Sequence, residues 1–248
     1  MPRGNGRISE LFIAIINHMN NTLNKIPLLT IRFQNDISLV ELPQFRGAII
    51  SKVPPSLTLF HNHEGDKLRY HYPLIQYKRI GGKAAVLCLG EGAEAIGEFF
   101  AHSDFHLRIG QREENFVISE VTAKQWLLQP WTTNFRYTLR KWLPFNSANY
   151  AAYRQLTGLT ERVQLLENIL TGNMLSMCTG LEKHIESPID CKILNILSQQ
   201  TLIFKGVKMQ AMDIEFQTNL YIPDYIGLGK GVSHGFGMIH QTNRKENQ

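Results

Sequence analysis

The sequence predicts an α+β fold of two lobes, each a small antiparallel sheet with helices on one face. Short apolar runs of strand length alternate with segments of helical periodicity in both halves of the chain. The 248 residues, 43% of them hydrophobic, also suffice for two lobes with separate cores. We place the boundary near residues 123–130, which gives a first lobe over residues 27–124 and a second over residues 125–248.

Residues 1–26 are predicted to form an N-terminal amphipathic helix. Apolar side chains between Ile8 and Leu23 recur at helical spacing, so this helix has one face to pack on the body of the protein or on a second copy. The apolar run at residues 11–16 is bounded by polar residues and is not followed by a signal-peptide cleavage site. No stretch reaches the roughly 18 apolar residues of a membrane span.

The first lobe is predicted to be rich in strands. A polar turn at residues 62–66, which contains Gly65, joins the strand-like runs 57–60 and 68–77 into a hairpin or its equivalent. Residues 83–89 form a continuous apolar strand, and residues 91–100 follow it with the early acids and spaced apolar side chains of a helix. Further strands are predicted at residues 28–33, 105–109 and 116–121, with a short helix or strand at residues 44–51.

The second lobe shows the same alternation less clearly. Strands are predicted at residues 135–142, 191–197, 202–208 and 209–220. Helices are predicted at residues 148–156, at residues 160–170 with Thr160 as the N-cap, and at residues 175–185.

Charge and cysteine content narrow the class of protein. The net charge of +5 favours a polyanionic partner and a basic face on a folded domain. The cysteines, Cys88, Cys178 and Cys191, are odd in number and form no Cys-x-x-Cys pair, which argues against a disulfide framework or a zinc ribbon. The cytoplasm is therefore the predicted location.

A glycine-rich segment lies near the C-terminus, at residues 227–237. Its five glycines allow positive φ and expose N–H groups that can hold a phosphate, and Lys230 and Ser233 add a cation and a hydroxyl. The alternative is a turn-rich connection between strands. The segment lacks the Gly-Lys-Ser/Thr of a Walker loop and the helix that follows a Rossmann fingerprint, so a nucleotide-binding enzyme is disfavoured.

Two histidines and a tyrosine suggest a catalytic cluster. On the predicted strand His61 and His63 would point to the same face, and the return strand would bring Tyr70 beside them. Histidine is suited to moving protons near neutral pH. The chemistry that this cluster indicates is RNA cleavage, in which the ribose 2′-OH attacks the adjacent phosphorus and a phenol stabilises the developing charge.

Two other interpretations of these histidines stay open. Two histidines on a strand can be half of a metal site, but a site needs further ligands, and the nearest candidates are Glu64, Asp66 and Cys88. The histidines can also simply cap a surface hairpin. The consecutive letters His-Asn-His carry no weight, because the nuclease motif of that name spreads its residues over a metal-binding unit.

Two motifs resemble those of one known family and occur in the order expected for it. The Gly-Leu-Gly and Gly-Phe-Gly triplets that begin at Gly227 and Gly235 resemble the glycine-rich loop of the CRISPR-associated endoribonucleases that process pre-crRNA, the Cas-six family. The stretch from Phe45-Arg46-Gly47 through His61-Asn62-His63 and Tyr70-His71-Tyr72-Pro73 to Glu91-Gly92-Ala93 is similar to its b-type branch. The resemblance spans residues 44–238 and is strongest at its two ends.

The resemblance implies a fold, an activity and site residues. The fold is two tandem ferredoxin-like (RRM-like) lobes. The activity is metal-independent cleavage of CRISPR repeat RNA without a cofactor, giving a 2′,3′-cyclic phosphate and a 5′-OH. The implied catalytic residues are His63, His61 and Tyr70, with His63 as the principal proton-transfer residue. The glycine-rich loop would contact RNA through Gly227, Gly229, Lys230, Gly231, Ser233, His234, Gly235 and Gly237.

Further RNA contacts are predicted at basic and aromatic residues, because phosphate charge and base stacking dominate RNA binding. The candidates are Arg46, Lys52, Arg69, Lys78, Arg136, Arg140 and Lys141, with Trp131 and Trp142 as stacking surfaces. Besides the pre-crRNA repeat, the expected partners are a second copy of the chain and subunits of an interference complex, with no membrane. The competing functions are a non-catalytic RNA-binding subunit of a CRISPR ribonucleoprotein and a metal-dependent nuclease.

Overall fold

The computed structural model divides the chain into two compact units. It describes residues 25–54, 57–61, 63–64, 67–68, 72–102 and 104–242. The first unit runs to Leu127 and includes Ser233–Gly235, and the second begins at Leu128. The predicted N-terminal helix, and with it the predicted contact with a second copy, lies outside the described residues.

The first lobe is a four-stranded antiparallel sheet with helices on one face. Its elements are β1 (Lys25–Asp36), α1 (Leu42–Ile50), α2 (Thr58–His61), β2 (His63–Glu64), β3 (Lys67–Leu68), β4 (Ile75–Ile80), β5 (Lys83–Leu89), α3 (Glu91–His102), β6 (His106–Ile109), β7 (Arg112–Asn115) and β8 (Ile118–Leu127). The sheet order is β4-β5-β1-β8, all neighbours antiparallel. With α1 and α3 as the two crossovers, this is the ferredoxin-like βαββαβ arrangement, as predicted.

The helices of this lobe follow from the sequence pattern. In α1, Pro43 lies in the first turn, and the buried residues Leu42, Phe45 and Ile49 recur at three- and four-residue spacing on one face. In α3, Glu91 and Glu94 place negative charge at the helix N-terminus, which the helix dipole favours. Both helices bury their apolar faces against β1, β4 and β5 in a single core.

The second lobe has the same strand order. Its elements are β9 (Pro130–Trp142), α4 (Ser147–Gln155), α5 (Leu159–Gly180), β10 (Cys191–Phe204), β11 (Val207–Leu220), a 3-10 helix (Val232–His234) and β12 (Met238–Gln241). The sheet order is β10-β11-β9-β12, again antiparallel throughout. The two tandem ferredoxin-like lobes are thus confirmed. In the second lobe the glycine-rich segment connects β11 to β12, where the ferredoxin-like pattern has its second helix.

Three local predictions for this lobe are wrong. The helices expected at residues 160–170 and 175–185 are one helix, α5, and its N-cap is Gly158 rather than Thr160. The strand expected at residues 202–208 contains the hairpin turn. Lys205 and Gly206 have φ values of 50° and 78° there, and positive φ at both central residues is what a two-residue turn of type I′ requires.

Among the described residues, none of the helices is both long and apolar enough to cross a membrane.

Candidate active site and nucleic-acid interface

The candidate catalytic histidines lie on two elements rather than on one strand. The strand predicted at residues 57–60 is wrong, because this stretch lies in α2, which ends at His61. His63 begins β2, and its partner across the β2–β3 hairpin is Leu68. The argument that alternation along one strand aligns the two histidines therefore does not apply. The side chains of both histidines lie outside the described residues, as do Tyr70 and Arg69.

The segment that carries the three candidates is fixed at both ends by buried aromatic residues. Phe60, directly before His61, is 2% exposed and belongs to the core of the first lobe, where its ring lies 6.5 Å from that of Phe99. Tyr72 is 8% exposed, and its hydroxyl accepts a hydrogen bond of 2.9 Å from Gln76 Nε2. Residues 61–71 therefore start and finish at the body of the lobe.

The glycine-rich segment is held by its own backbone. Gly227 forms a bridge with Met238, and Leu228 N–H donates to the Gly237 carbonyl at 2.8 Å. Phe236 N–H donates to Gly231, so several of the amides expected to face a phosphate are used internally. The predicted positive φ values are present at Gly229, Gly231, Gly235 and Gly237.

The polar side chains of this segment are unequally accessible. Lys230 is exposed, whereas Ser233 is buried and its hydroxyl lies 3.1 Å from Nδ1 of His234. The lysine is thus the group that a polyanion can reach directly.

The structure separates the predicted RNA contacts by accessibility. Arg136 and Arg140 are both exposed. Arg140, however, forms an ion pair with Asp213 at 3.1 Å, and Lys52 forms one with Asp104. Arg46 is half-buried, its Nε has no hydrogen-bond partner among the described residues, and burial lowers its pKa. Trp131 is 40% exposed, as a stacking surface requires.

Lys78 and Trp142 were predicted to contact RNA, and both are completely buried. Burial lowers the pKa of Lys78 to about 7, since the charged ammonium is less well solvated in the interior than in bulk water. Trp142 is fixed by a hydrogen bond from Nε1 to Asn173 Oδ1 at 2.9 Å. In this structure neither side chain offers a surface to RNA.

Asparagines line a cavity in the second lobe that no pattern in the sequence predicted. Asn146, Asn149, Asn168 and Asn173 lie around a space of about 400 Å³ together with Lys230. Asparagine is ordinary on exposed helix faces, so only the tertiary structure, which brings Asn146 and Asn149 to the same cavity as Asn168 and Asn173, distinguishes them.

In the part of the chain that the structure describes, no three His, Cys, Asp or Glu side chains gather into a group able to hold a metal ion.

Comparisons with known proteins identify the family. The model of the Cas6b N-terminal domain matches residues 24–126, and that of the Cas6b C-terminal domain matches residues 129–242. An uncharacterised protein of Methanocaldococcus jannaschii is 32% identical over 126 residues, which cover 51% of this chain and 77% of that protein.

Solved structures share the fold. A crystal structure of Cas6b superposes with a TM-score of 0.80 at 24% identity, covering 88% of this chain and all of that one. A crystal structure of the CRISPR RNA processing endoribonuclease Cas6b gives 0.67 at 23% identity, with the same coverage of both chains. With both domain models matched in order, and the predicted b-type resemblance thereby confirmed, this chain belongs to the Cas6b family.

Proposed function

We propose that this chain cleaves CRISPR repeat RNA to mature crRNA, by metal-independent attack of a ribose 2′-OH that gives a 2′,3′-cyclic phosphate and a 5′-OH. The observation that carries the proposal is the match to both Cas6b domains in a chain that holds two histidines on a short, anchored segment. The three free thiols fit a reducing cytoplasm, where such RNA is made.

Chain geometry keeps the three candidate residues close. His61 and His63 are two residues apart, so their Cα atoms lie within about 7 Å of each other. Leu68 is paired with His63, which places their Cα atoms about 5 Å apart. Tyr70 follows Leu68 by two residues, so its Cα lies within about 12 Å of that of His63. Side chains as long as histidine and tyrosine can meet across such a distance.

The residue types fit the proposed reaction. One imidazole would remove the proton of the 2′-OH while an acid protonates the leaving 5′-oxygen, and histidine can do either near neutral pH. The Tyr70 hydroxyl would donate a hydrogen bond to the phosphorane oxygens, where negative charge develops. The ribose itself supplies the nucleophile, so no metal-activated water is needed.

The RNA would be held by accessible groups of both lobes. In the first lobe the guanidinium of Arg46 can donate hydrogen bonds to a phosphate. Arg69 belongs to residues 61–71, the segment that carries the candidate catalytic residues, and would add a cation there. In the second lobe Arg136 and Lys230 are exposed, and the glycines at residues 227–237 allow close approach of a sugar-phosphate backbone. Lys52 and Arg140 would contact RNA only at the cost of their ion pairs with Asp104 and Asp213.

Purified protein incubated with the repeat RNA of its own genome tests the proposal. We expect cleavage at one site in the presence of EDTA, and no cleavage of a matched RNA that has deoxyribose at the scissile position. Loss of cleavage in EDTA that Mg²⁺ restores would instead identify a metal-dependent nuclease. Tight binding without any cleavage would identify a non-catalytic RNA-binding subunit.

A further inference from the structure

A cavity of about 400 Å³ lies entirely within the second lobe, between the start of α4, the middle of α5 and Lys230. Its size falls within the roughly 300–1,000 Å³ that is typical of small-ligand pockets. Apolar side chains form part of its wall, namely Leu143, Leu165 and Ile169. The rest of the lining is polar and consists largely of amides.

Two of these amides have a fixed orientation. Asn146 Oδ1 accepts a hydrogen bond from the backbone N–H of Asn149 at 2.7 Å, and Asn173 Oδ1 accepts one from Trp142 Nε1 at 2.9 Å. Both partners can only donate, so the oxygen of each asparagine must face them. The group of each amide left for a ligand is therefore its NH₂.

The amide of Asn168 also lies in the lining, where it forms a hydrogen bond of 3.1 Å with the side-chain amide of Gln164. Either amide of such a pair can donate, so this contact does not select which atom of Asn168 faces the cavity. Together with the ammonium of Lys230, the NH₂ groups of Asn146 and Asn173 make a lining that donates hydrogen bonds. A ligand that suits it carries acceptor atoms and negative charge.

Lys230 is held at the rim by the backbone around it. Its N–H lies 3.5 Å from the Leu143 carbonyl oxygen, and the preceding Gly229 packs so closely that a Cβ there would lie 2.8 Å from Trp142 Cδ1. No carboxylate among the described residues forms an ion pair with Lys230. Its charge is thus available at a defined place beside the amides.

We infer that this cavity is a nucleotide subsite, which takes one unpaired nucleotide of the bound repeat RNA. Its phosphate lies at Lys230, and acceptor atoms of its base, such as a carbonyl oxygen or a ring nitrogen, receive hydrogen bonds from the asparagine NH₂ groups. Proteins read RNA sequence mainly through such splayed, single-stranded bases. This inference rests on the proposed function, because it assumes that repeat RNA is the ligand.

A larger cavity on the same lobe, of about 600 Å³, is a weaker candidate. It shares Asn168 and Gly172 with the first but is also lined by Glu167 and Asp190. Glu167 is 5% exposed, and its carboxylate accepts a hydrogen bond from the Ile193 N–H at 3.0 Å. Lys192 also lines this cavity, but its ammonium is paired with Glu167 at 3.4 Å, and Asp190 adds a second carboxylate. The donor-lined cavity, whose Lys230 has no such partner among the described residues, therefore suits a polyanion better.

The test measures binding of repeat RNA with deoxyribose at the scissile position, by fluorescence anisotropy over a range of salt concentrations. Asn149→Leu removes an amide from the lining without changing charge, and Lys230→Ala removes the cation. Gln200→Leu and Lys124→Ala are the matched controls, since both residues are exposed and neither lines the cavity. Leucine is a better helix former than asparagine, so α4 should tolerate the first change.

We expect Asn149→Leu to weaken RNA binding about tenfold, as loss of a base contact does, with the salt dependence unchanged. Lys230→Ala should weaken binding and also flatten the slope of log K against log salt by about 0.7, the value for one phosphate of a single strand. Both controls should bind within about twofold of wild type.

Two results would overturn the inference. If Asn149→Leu and Lys230→Ala bind the repeat RNA as wild type does, the cavity is not a subsite, while cleavage by the wild-type protein would still support the proposed function. If the wild-type protein neither binds nor cleaves repeat RNA, the proposed function fails and the subsite fails with it.

Discussion

His61 and His63 are separated by a single residue, yet one ends a helix and the other begins a strand. A change of element between them means that their side chains need not share a direction, as they would on one strand. The β2–β3 hairpin pairs His63 with Leu68, and His63 is the residue that we propose for the principal proton transfer.

The first prediction concerns His63→Ala. Removal of a general acid or base should slow cleavage by about 10²–10⁴-fold, while repeat RNA still binds, because phosphate contacts supply most of the affinity. Single-turnover cleavage and anisotropy binding measure the two effects separately. His184→Ala is the matched control, since His184 is exposed in the second lobe. Cleavage by His63→Ala at the wild-type rate would remove His63 from the mechanism.

The second prediction concerns Lys78, whose pKa burial lowers to about 7. The unfolded chain keeps this proton up to a pH near 10.5, so between pH 7 and 10 the folded protein binds fewer protons than the unfolded one. Over that window the free energy of unfolding of wild type should rise, relative to Lys78→Met, by up to about 1.4 kcal/mol per pH unit. Below pH 7 the difference between the two should be constant.

Urea unfolding of both proteins from pH 6 to pH 10 measures this difference. Parallel curves across the whole range would show that Lys78 keeps its charge in the folded protein. A methionine is similar in length to lysine, so the variant should leave little empty space in the interior.

At the scale of elements, the glycine-rich segment does structural work in the place of a helix. It connects β11 to β12, and β12 completes the sheet by pairing with β9. Its path depends on residues without a side chain, since a Cβ at Gly237 would collide with the Leu228 carbonyl oxygen. The segment is therefore an ordered connection with a defined backbone, and RNA that contacts it would meet that backbone conformation.

The third prediction compares two glycine-to-alanine changes. Gly237→Ala places a side chain at φ 61° against backbone, which should cost at least about 2 kcal/mol of unfolding free energy. Gly172 lies inside α5, where a Cβ would meet nothing within 4 Å. Gly172→Ala should therefore raise the free energy of unfolding by about 0.5–1 kcal/mol. Thermal and urea unfolding give both values. An unchanged stability of Gly237→Ala would contradict the tight packing of this segment.

At the scale of the whole molecule, the two lobes have the same strand order but differ in the segments that connect their strands. The first lobe has α-helices in both crossovers, whereas the second has α-helices in the first crossover and a short 3-10 helix in the second. The net charge of +5 is modest for a protein that binds a polyanion. Affinity for RNA should accordingly come from a few placed cations rather than from a strong general field.

The fourth prediction concerns salt. If Arg46, Arg136 and Lys230 each neutralise one phosphate of single-stranded RNA, log K should fall against log salt with a slope of about −2. Arg136→Ala should flatten that slope by about 0.7, whereas Lys52→Ala, which removes a lysine already paired with Asp104, should change it less. Binding that is independent of salt would contradict phosphate contacts by these residues.

The sequence by itself determined the fold class and several elements of the first lobe. The strand expected at residues 83–89 has the same bounds as β5, and the helix expected at residues 91–100 lies within α3. Residues 83–89 are a continuous apolar run of strand length, and residues 91–100 carry spaced apolar side chains behind early acids. The short length of the first and the helical spacing of the second leave little choice of structure. The order of the two family motifs was also readable, because it depends only on residue types and their spacing.

Tertiary structure decided what short or locally ambiguous segments became. The four residues 57–60, three of them apolar, fit a strand or a helical turn equally well. In the structure residues 58–60 lie in a helical turn whose Phe60 packs near Phe99. Lys78 is polar on a strand, yet Gln76 and Ile80, which share its face of β4, are buried as it is, so this face offers no outward position. Burial depends on what packs against an element, and that information is spread over residues distant in the chain. For the same reason no local pattern revealed that asparagines of α4 and α5 line one cavity.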